Sequence, residues 1–169
     1  RRFVDMGCVG IGEITANIPL DHPFVVNMAK QCAEWDLPVL FHGAGPSEGH
    51  YGLVDEVGSP RLARLLEQVP DTTFIGHGPG FWAEISGKVT PEEKFVYPEG
   101  PVSEGGSLPR LLRAHPNLYA DISARSGLNA LRRDRAFGIR FLNEFQDRIL
   151  FGTDICFADA EGDIPTLRY

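Results

Sequence analysis

Three short apolar stretches of this chain each end on a side chain that can bind a cation or carry a proton. PVLFH ends on His42, TFIGH ends on His77, and RILFGTD ends on Asp154. Uninterrupted apolar runs of this length are typical of strands buried in a parallel sheet, so all three are predicted to be buried strands. An unpaired charged group at the end of such a strand is costly. The pattern therefore indicates strands that present chemically active side chains at one edge of a sheet.

Helical patterns separate these strands, so the predicted elements alternate along the chain. Asp21, Ser59 and Asp134 are predicted helix N-caps, and a further helix is predicted from Ser107. Two stretches, residues 43–52 and 78–106, are predicted to be irregular, and the longer one is expected to cover a site because long loops are uncommon otherwise. Strands are predicted over residues 8–14, 38–41, 72–76, 118–122 and 149–151.

Alternating strands and helices predict a parallel sheet, and ligands of such sheets bind at the C-terminal ends of the strands. Glu13, His42, His77 and Asp154 all fall at such ends. Imidazole and carboxylate groups suit zinc and related ions, so we predict that these four residues bind a divalent metal. Taken singly, each residue has an ordinary alternative role as a helix cap, a hydrogen-bonding group or a salt-bridge partner.

Three further residues are candidates for binding a substrate. His50 lies in the glycine-rich loop after the second strand, Trp82 follows the HGPG stretch, and Asp121 ends the fourth strand. Each has an alternative that the sequence leaves open. Trp82 could instead cover apolar surface, and Asp121 could pair with Arg125.

Composition restricts the class of partner. The net charge is -7, which argues against a nucleic-acid or anionic membrane surface because such surfaces need clustered lysine and arginine. No apolar run approaches the roughly 18 to 20 residues of a transmembrane helix. Three widely spaced cysteines without a CxxC pair are typical of reduced thiols in a cytoplasmic protein. We therefore expect a small-molecule substrate, and homo-oligomerisation stays open.

Five motifs together resemble strands four to eight of the amidohydrolase superfamily, in its amidohydrolase-related branch. The resemblance implies a partial TIM (β/α)8 barrel with its helices, formed by residues 1–169 as a single domain. It also implies that His42 is the strand-five metal ligand and that His77 binds a second metal or polarises the substrate. Asp154 would contact the metal and move protons. The motifs are GIGEI, PVLFHGA, TFIGHGPG, NLYADIS and RILFGTD.

The chain also departs from that superfamily's pattern. The H-x-H pair of strand one is missing, and Glu13 lies near the place of the carboxylated lysine, as in the TatD-like nuclease branch or in branches with one metal. The acidic charge makes the nuclease branch less attractive. Because the chain starts at Arg1 without an initiator methionine, we expect it to be the C-terminal part of a longer enzyme, inactive in isolation.

The expected activity of the complete protein is metal-dependent hydrolysis of a small-molecule C–N or C–O bond, with zinc as the cofactor. In this scheme Asp154 and His77 are the catalytic residues. Two alternatives remain: a metal-dependent decarboxylase of the same family, and a truncated barrel that binds a partner without turnover. The residues that precede Arg1 would distinguish an enzyme from such a non-catalytic barrel, because an H-x-H pair there would complete the set of metal ligands.

Overall fold

A parallel sheet of six strands forms the centre of this computed structural model, which describes residues 1–44 and 51–155. The strand order is β1-β2-β4-β5-β6, and β3 pairs with the last two residues of β2. All pairings are parallel. The strands are β1 (Ile11–Ile14), β2 (Val39–Ala44), β3 (Leu53–Val54), β4 (Phe74–His77), β5 (Leu118–Asp121) and β6 (Ile149–Leu150).

Helices connect the strands of the path β1-β2-β4-β5-β6. The strands follow one another across the sheet without a reversal of direction, which is the winding of a barrel rather than of a doubly wound sheet. The prediction of an α/β fold that forms part of a (β/α)8 barrel is therefore confirmed. No helix in residues 1–44 and 51–155 is long and apolar enough to cross a membrane. The helices are α1 (Arg2–Asp5), α2 (Pro23–Ala33), α3 (Pro60–Gln68), α4 (Pro79–Trp82), α5 (Ser107–Ala114), α6 (Ser126–Arg132) and α7 (Arg135–Phe145), with 3-10 turns at Ala83–Ile85, Glu93–Phe95 and Gln146–Arg148.

The apolar stripes of the helices pack against the sheet. Leu62, Leu65 and Leu66 of α3 are buried, as the spacing of leucines predicts. The phenylalanine stripe of α7 is buried in the same way and continues into the indole of Trp82, whose ring centroid lies 6.0 Å from that of Phe141. These contacts make one continuous core beneath the strand ends that carry the predicted site.

The structure agrees with only some of the predicted helix caps. Asp134 caps α7 as predicted, because its Oδ1 accepts the backbone N–H of Phe137 at 3.0 Å. Asp21 does not cap α2; the side chain of His22 accepts from Phe24 instead. The predicted Asp21 cap is wrong because that carboxylate binds two arginines of α3.

At α3 the predicted cap is also wrong. Ser59 occupies the N-cap position but makes no capping hydrogen bond from its side chain. The buried carboxylate of Asp55 accepts the backbone N–H groups of Arg61 and Leu62, both at 3.0 Å. Burial raises the pKa of Asp55 to about 6, although these backbone hydrogen bonds act in the opposite direction.

The last strand differs from the prediction of a fully buried strand. β6 contains only Ile149 and Leu150, and the side chains of Leu150 and Phe151 are 39% and 59% exposed. The reason is position, since within residues 1–44 and 51–155 β6 pairs with β5 alone and lies at an edge of the sheet. β1 lies at the other edge and is likewise mostly exposed. β2, which carries His42 and continues two residues beyond the predicted end, and β4, which ends on His77, are interior and buried, as predicted.

The stretch 78–106 contains more structure than predicted, namely α4 and two 3-10 turns. It is fastened by a buried ion pair in which Lys94 Nζ lies 2.6 Å from Glu84 Oε1. Glu84 also accepts the backbone N–H of Gly58 and the hydroxyl of Ser107. One buried carboxylate thus joins this segment to the turn before α3 and to the start of α5.

Candidate metal centre

The two strand-ending histidines lie side by side. His42 and His77 are register partners in the β2–β4 pair, and their ring centroids are 5.3 Å apart. Partners in a parallel register place their side chains on the same face of a sheet. Both imidazoles are buried, so the fold brings two nitrogen donors to one point at the C-terminal edge.

Glu13 supplies a carboxylate to the same point from β1. Its Oε1 lies 2.6 Å from His42 Nδ1 and 3.7 Å from His77 Nε2. One donor atom from each of the three residues lies within 4.8 Å of the others. Three of the four predicted ligands therefore converge.

Asp121 orients the second histidine. Its Oδ2 lies 3.0 Å from His77 Nδ1, and as an ionised carboxylate it accepts the Nδ1 proton. That tautomer leaves the lone pair of His77 on Nε2, the atom that faces Glu13. The alternative partner considered for Asp121, Arg125, is not used in this way; instead Ser123 donates both its backbone N–H and its hydroxyl to the carboxylate.

The environment shifts the pKa values of these groups in different directions. Burial lowers the pKa of His42, although Glu13 opposes the shift, and the neutral form that binds metals is favoured. For His77, burial also acts to lower the pKa, but Asp121, Glu13 and Asp154 outweigh it and the net shift is upward. Burial acts to raise the pKa of Asp121, and the hydrogen bonds from His77 and Ser123 reverse this and lower it.

Asp154 lies at the mouth of the site rather than in the three-residue cluster. It is exposed, and it lines a cavity of about 220 Å³ together with both histidines. Its charge favours the protonated form of both imidazoles, which contributes to the raised pKa of His77, whereas burial outweighs it and lowers the pKa of His42. The carboxylate is therefore placed beside the cluster, facing the space that a substrate would enter.

The other substrate-binding candidates are placed differently. The structure buries Trp82 in the core, outside the lining of the 220 Å³ cavity, and its indole N–H donates to the backbone carbonyl of Asp121 at 2.8 Å. Trp82 thus supports the strand end that carries Asp121, and covering apolar surface, the alternative role, is what the structure shows. His50 lies outside the described residues.

Four residues of the site were not singled out in the sequence. Ser123 stands two residues after Asp121, a spacing at which a side chain often accepts a local backbone hydrogen bond. Tyr51 stacks near His42 with ring centroids 4.3 Å apart, and Phe95 and Tyr97 line the cavity from the segment after α4. No local sequence pattern marks the three aromatic residues as part of the site. Their positions depend on how the two long loops pack over the ends of the strands.

The donor set fits a divalent cation. Donor atoms of the three residues lie within 4.8 Å of one another, and Glu13 Oε1 lies 3.7 Å from His77 Nε2, which is close to the separation of two ligands that share one ion with bonds of about 2.1 Å. A carboxylate hydrogen-bonded to the far nitrogen of a ligating histidine is the usual outer partner of such sites, and Asp121 occupies this place for His77. Glu13, His42 and His77 could thus hold one metal ion.

Comparison with known proteins gives a family and one solved structure. A family model described as "Amidohydrolase" matches residues 4–168. The crystal structure of 2,6-dihydroxybenzoate decarboxylase complexed with 2,6-dihydroxybenzoate is similar at 17% sequence identity and a TM-score of 0.44. That match covers 93% of this chain and 54% of the other, so the chain spans about half the length of the solved protein. Comparison with curated proteins gave no match.

Proposed function

Because this chain belongs to the amidohydrolase family, we propose that it forms part of a metal-dependent hydrolase that cleaves a C–N or C–O bond of a small molecule. The observation that carries the proposal is the convergence of Glu13, His42 and His77 within 4.8 Å at the C-terminal edge of the sheet. Active sites of (β/α)8 barrels lie at this edge. Members of the family generally use a divalent metal, and the proposed ion is zinc.

A bound zinc ion would supply Lewis acidity and lower the pKa of a coordinated water to about 7. Asp154 is exposed at the mouth of the cavity, where its carboxylate would accept a proton and return it to the leaving group. His77, whose Nδ1 is held by Asp121, would hold the ion through Nε2 and so fix it beside the cavity where a substrate oxygen would bind. Glu13 and His42 act as ligands.

The size of the cavity next to these groups supports a small-molecule substrate. Its volume is about 220 Å³, and aromatic rings of Tyr51, Phe95 and Tyr97 form much of its wall. Apolar walls around a few polar groups are typical of small-molecule sites. The acidic net charge does not favour a polynucleotide substrate.

The proposal is tested by zinc titration and turnover of the full-length protein. Glu13→Gln, His42→Ala and His77→Ala are each expected to weaken zinc binding and to abolish turnover of a panel of small amides, esters, lactones and carboxylated rings. His115→Asn removes a histidine at the end of α5, away from the site, and is the matched control. Water addition to the product supports hydrolysis, and CO2 release would assign decarboxylation instead. Unchanged zinc binding in the three variants would refute the metal site.

A further inference from the structure

Two buried polar atoms beside the metal centre have no hydrogen-bond partner among residues 1–44 and 51–155. They are the hydroxyl oxygen of Ser126 and the Nε atom of Arg133. Ser126 is only 4% exposed. A buried donor without a partner costs on the order of 1–3 kcal/mol, so orphaned donors in a native protein call for a ligand or a water.

These atoms lie between two larger spaces. Both residues line a small cavity of about 10 Å³, which is near the volume that one water molecule needs. Pro79, Tyr97 and Ser126 are shared by this small cavity and the 220 Å³ cavity of the metal centre. Tyr97, Asn129 and Arg133 are shared by it and an outer cavity of about 510 Å³. The three spaces therefore adjoin one another around Tyr97.

The outer cavity is strongly basic. Arg125, Arg132 and Arg133 line it, and no carboxylate does. Among residues 1–44 and 51–155, neither Arg125 nor Arg133 takes part in an ion pair. Guanidinium groups with unused N–H donors are the preferred partners of carboxylate and phosphate oxygens.

The acids near Arg133 do not satisfy it. Asp134 accepts the backbone N–H groups of Val102 and Phe137, and Glu93 accepts the backbone N–H of Thr90. Burial lowers the pKa of the Arg133 guanidinium in spite of the attraction of these two carboxylates. An anion bound beside Arg133 would stabilise the charged guanidinium and so offset the loss of solvation that burial causes.

We propose that Arg125 and Arg133 form an anion subsite in the outer cavity, that Ser126 supports it through a water in the small cavity, and that the substrate carries a carboxylate or phosphate group that binds there. This deepens the proposed function, on which the assignment to a substrate rests. Tyr97 stands between the subsite and the cluster, so a substrate would pass along its ring, with the reacting bond near His77 and the anionic group near Arg133.

The test is calorimetric titration of the full-length protein, freed of metal on a chelating resin. The two probes are sodium phosphate and sodium acetate, each compared with sodium chloride at matched ionic strength. Saturable binding of at least one probe is expected, and the probe that binds more tightly distinguishes a phosphate from a carboxylate preference. Binding of neither probe would overturn the proposal.

Substitutions of the proposed subsite residues test where the anion binds. Arg133→Met keeps the aliphatic stem and is expected to weaken the association about tenfold or more, and Ser126→Ala less. Arg125 is exposed, so Arg125→Met does not threaten folding and is expected to weaken binding similarly. Arg2→Met removes the same charge from exposed α1 and is expected to change nothing.

Equal affinity in Arg125→Met, Arg133→Met and the unaltered protein would overturn the subsite, as would an equal loss in Arg2→Met. Zinc titration of the unaltered protein separates the two proposals. Phosphate or acetate binding by an unaltered protein that does not bind zinc would refute the metal centre and leave the anion subsite standing.

Discussion

The imidazole of His77 and the carboxylate of Asp121 are joined by a hydrogen bond of 3.0 Å, which turns the free nitrogen of the ring toward Glu13. The bond runs between neighbouring strands, because β4 pairs with β5 and each residue ends its strand. Asp121 is itself held by Ser123 and, at its backbone carbonyl, by Trp82. The orientation of one candidate ligand therefore depends on a chain of contacts that reaches the core.

Replacing Asp121 by asparagine should weaken zinc binding by about 10- to 100-fold, the usual effect of removing the outer partner of a ligating histidine. The amide keeps the shape but lacks the negative charge that fixes the tautomer of His77. Competitive zinc titration of the full-length protein measures the change. Asp147→Asn removes the same charge from an exposed position and serves as the control; a loss as large in that variant would show a general charge effect.

Gly78 should be required for the position of His42. A Cβ atom at Gly78 would lie 2.7 Å from His42 Nε2, closer than real contacts allow. Gly78→Ala is expected to displace the imidazole and reduce zinc affinity. Gly58→Ala is a matched control, since Gly58 has nearly the same backbone angle, φ +87° against +89°, but nothing within 4 Å of its Cβ.

Both alanine variants should lose stability of the order of 1–3 kcal/mol because of their positive φ angles, which L side chains adopt at a cost. The difference between them in zinc affinity isolates the contact with His42. Equal zinc affinity in the two variants would contradict the prediction, whatever their stabilities in urea.

Removing one partner of the buried pair Lys94–Glu84 should lower the unfolding free energy more than replacing both partners with apolar residues. Lys94→Met leaves Glu84 buried without its cation and is expected to cost about 3–5 kcal/mol of unfolding free energy. In the double variant Lys94→Met, Glu84→Leu, no charge is left behind, and a smaller loss is expected. Urea denaturation of the full-length proteins measures both. A double variant less stable than Lys94→Met would show that the other hydrogen bonds of Glu84 dominate.

Asp21 should contribute to stability at neutral pH and not in acid. Burial acts to raise its pKa, but hydrogen bonds from Arg61 and Arg64 outweigh this and hold it below the model-compound value of 3.8. A carboxyl group whose pKa is depressed by folding stabilises the protein above its unfolded-state value and loses that contribution as the pH falls through the folded-state value.

Asp21→Asn is therefore expected to cost about 1 kcal/mol at pH 7, the upper end for partly exposed ion pairs. The difference from the unaltered protein should vanish as the pH drops well below 3.8. Thermal unfolding as a function of pH measures it, with the exposed Asp71→Asn as the control. A difference that persists in acid would assign the effect to packing instead of charge.

The strand ends of the candidate site could be predicted from sequence because parallel strands share a common direction. Once β1, β2 and β4 are recognised, Glu13, His42 and His77 must fall at the same edge. The order of the strands follows from the helices between them. Nothing beyond local pattern is needed for these steps, and all three residues converge in the structure.

The remaining features depend on contacts between distant segments. Ile149 and Leu150 have the same hydropathy whether a strand has one neighbour or two, so the exposure of β6 could not be foreseen. Asp21 is a better cap than His22 by residue type, and the ion pairs of its carboxylate with Arg61 and Arg64 of a distant helix are what the sequence could not show. The anchoring of His77 by Asp121 likewise requires knowing that β4 and β5 are neighbours.

The carboxylate and the two imidazoles of the candidate metal centre come from three different strands. In the described part of the chain β1 pairs with β2, and β2 pairs with β4. A cation held by Glu13, His42 and His77 would therefore join these three strands through their side chains, in addition to the backbone hydrogen bonds between them. A ligand that binds only the folded state stabilises that state by mass action. The cation should accordingly slow amide hydrogen exchange in all three strands together, including Ile11–Ile14 and Phe74–His77.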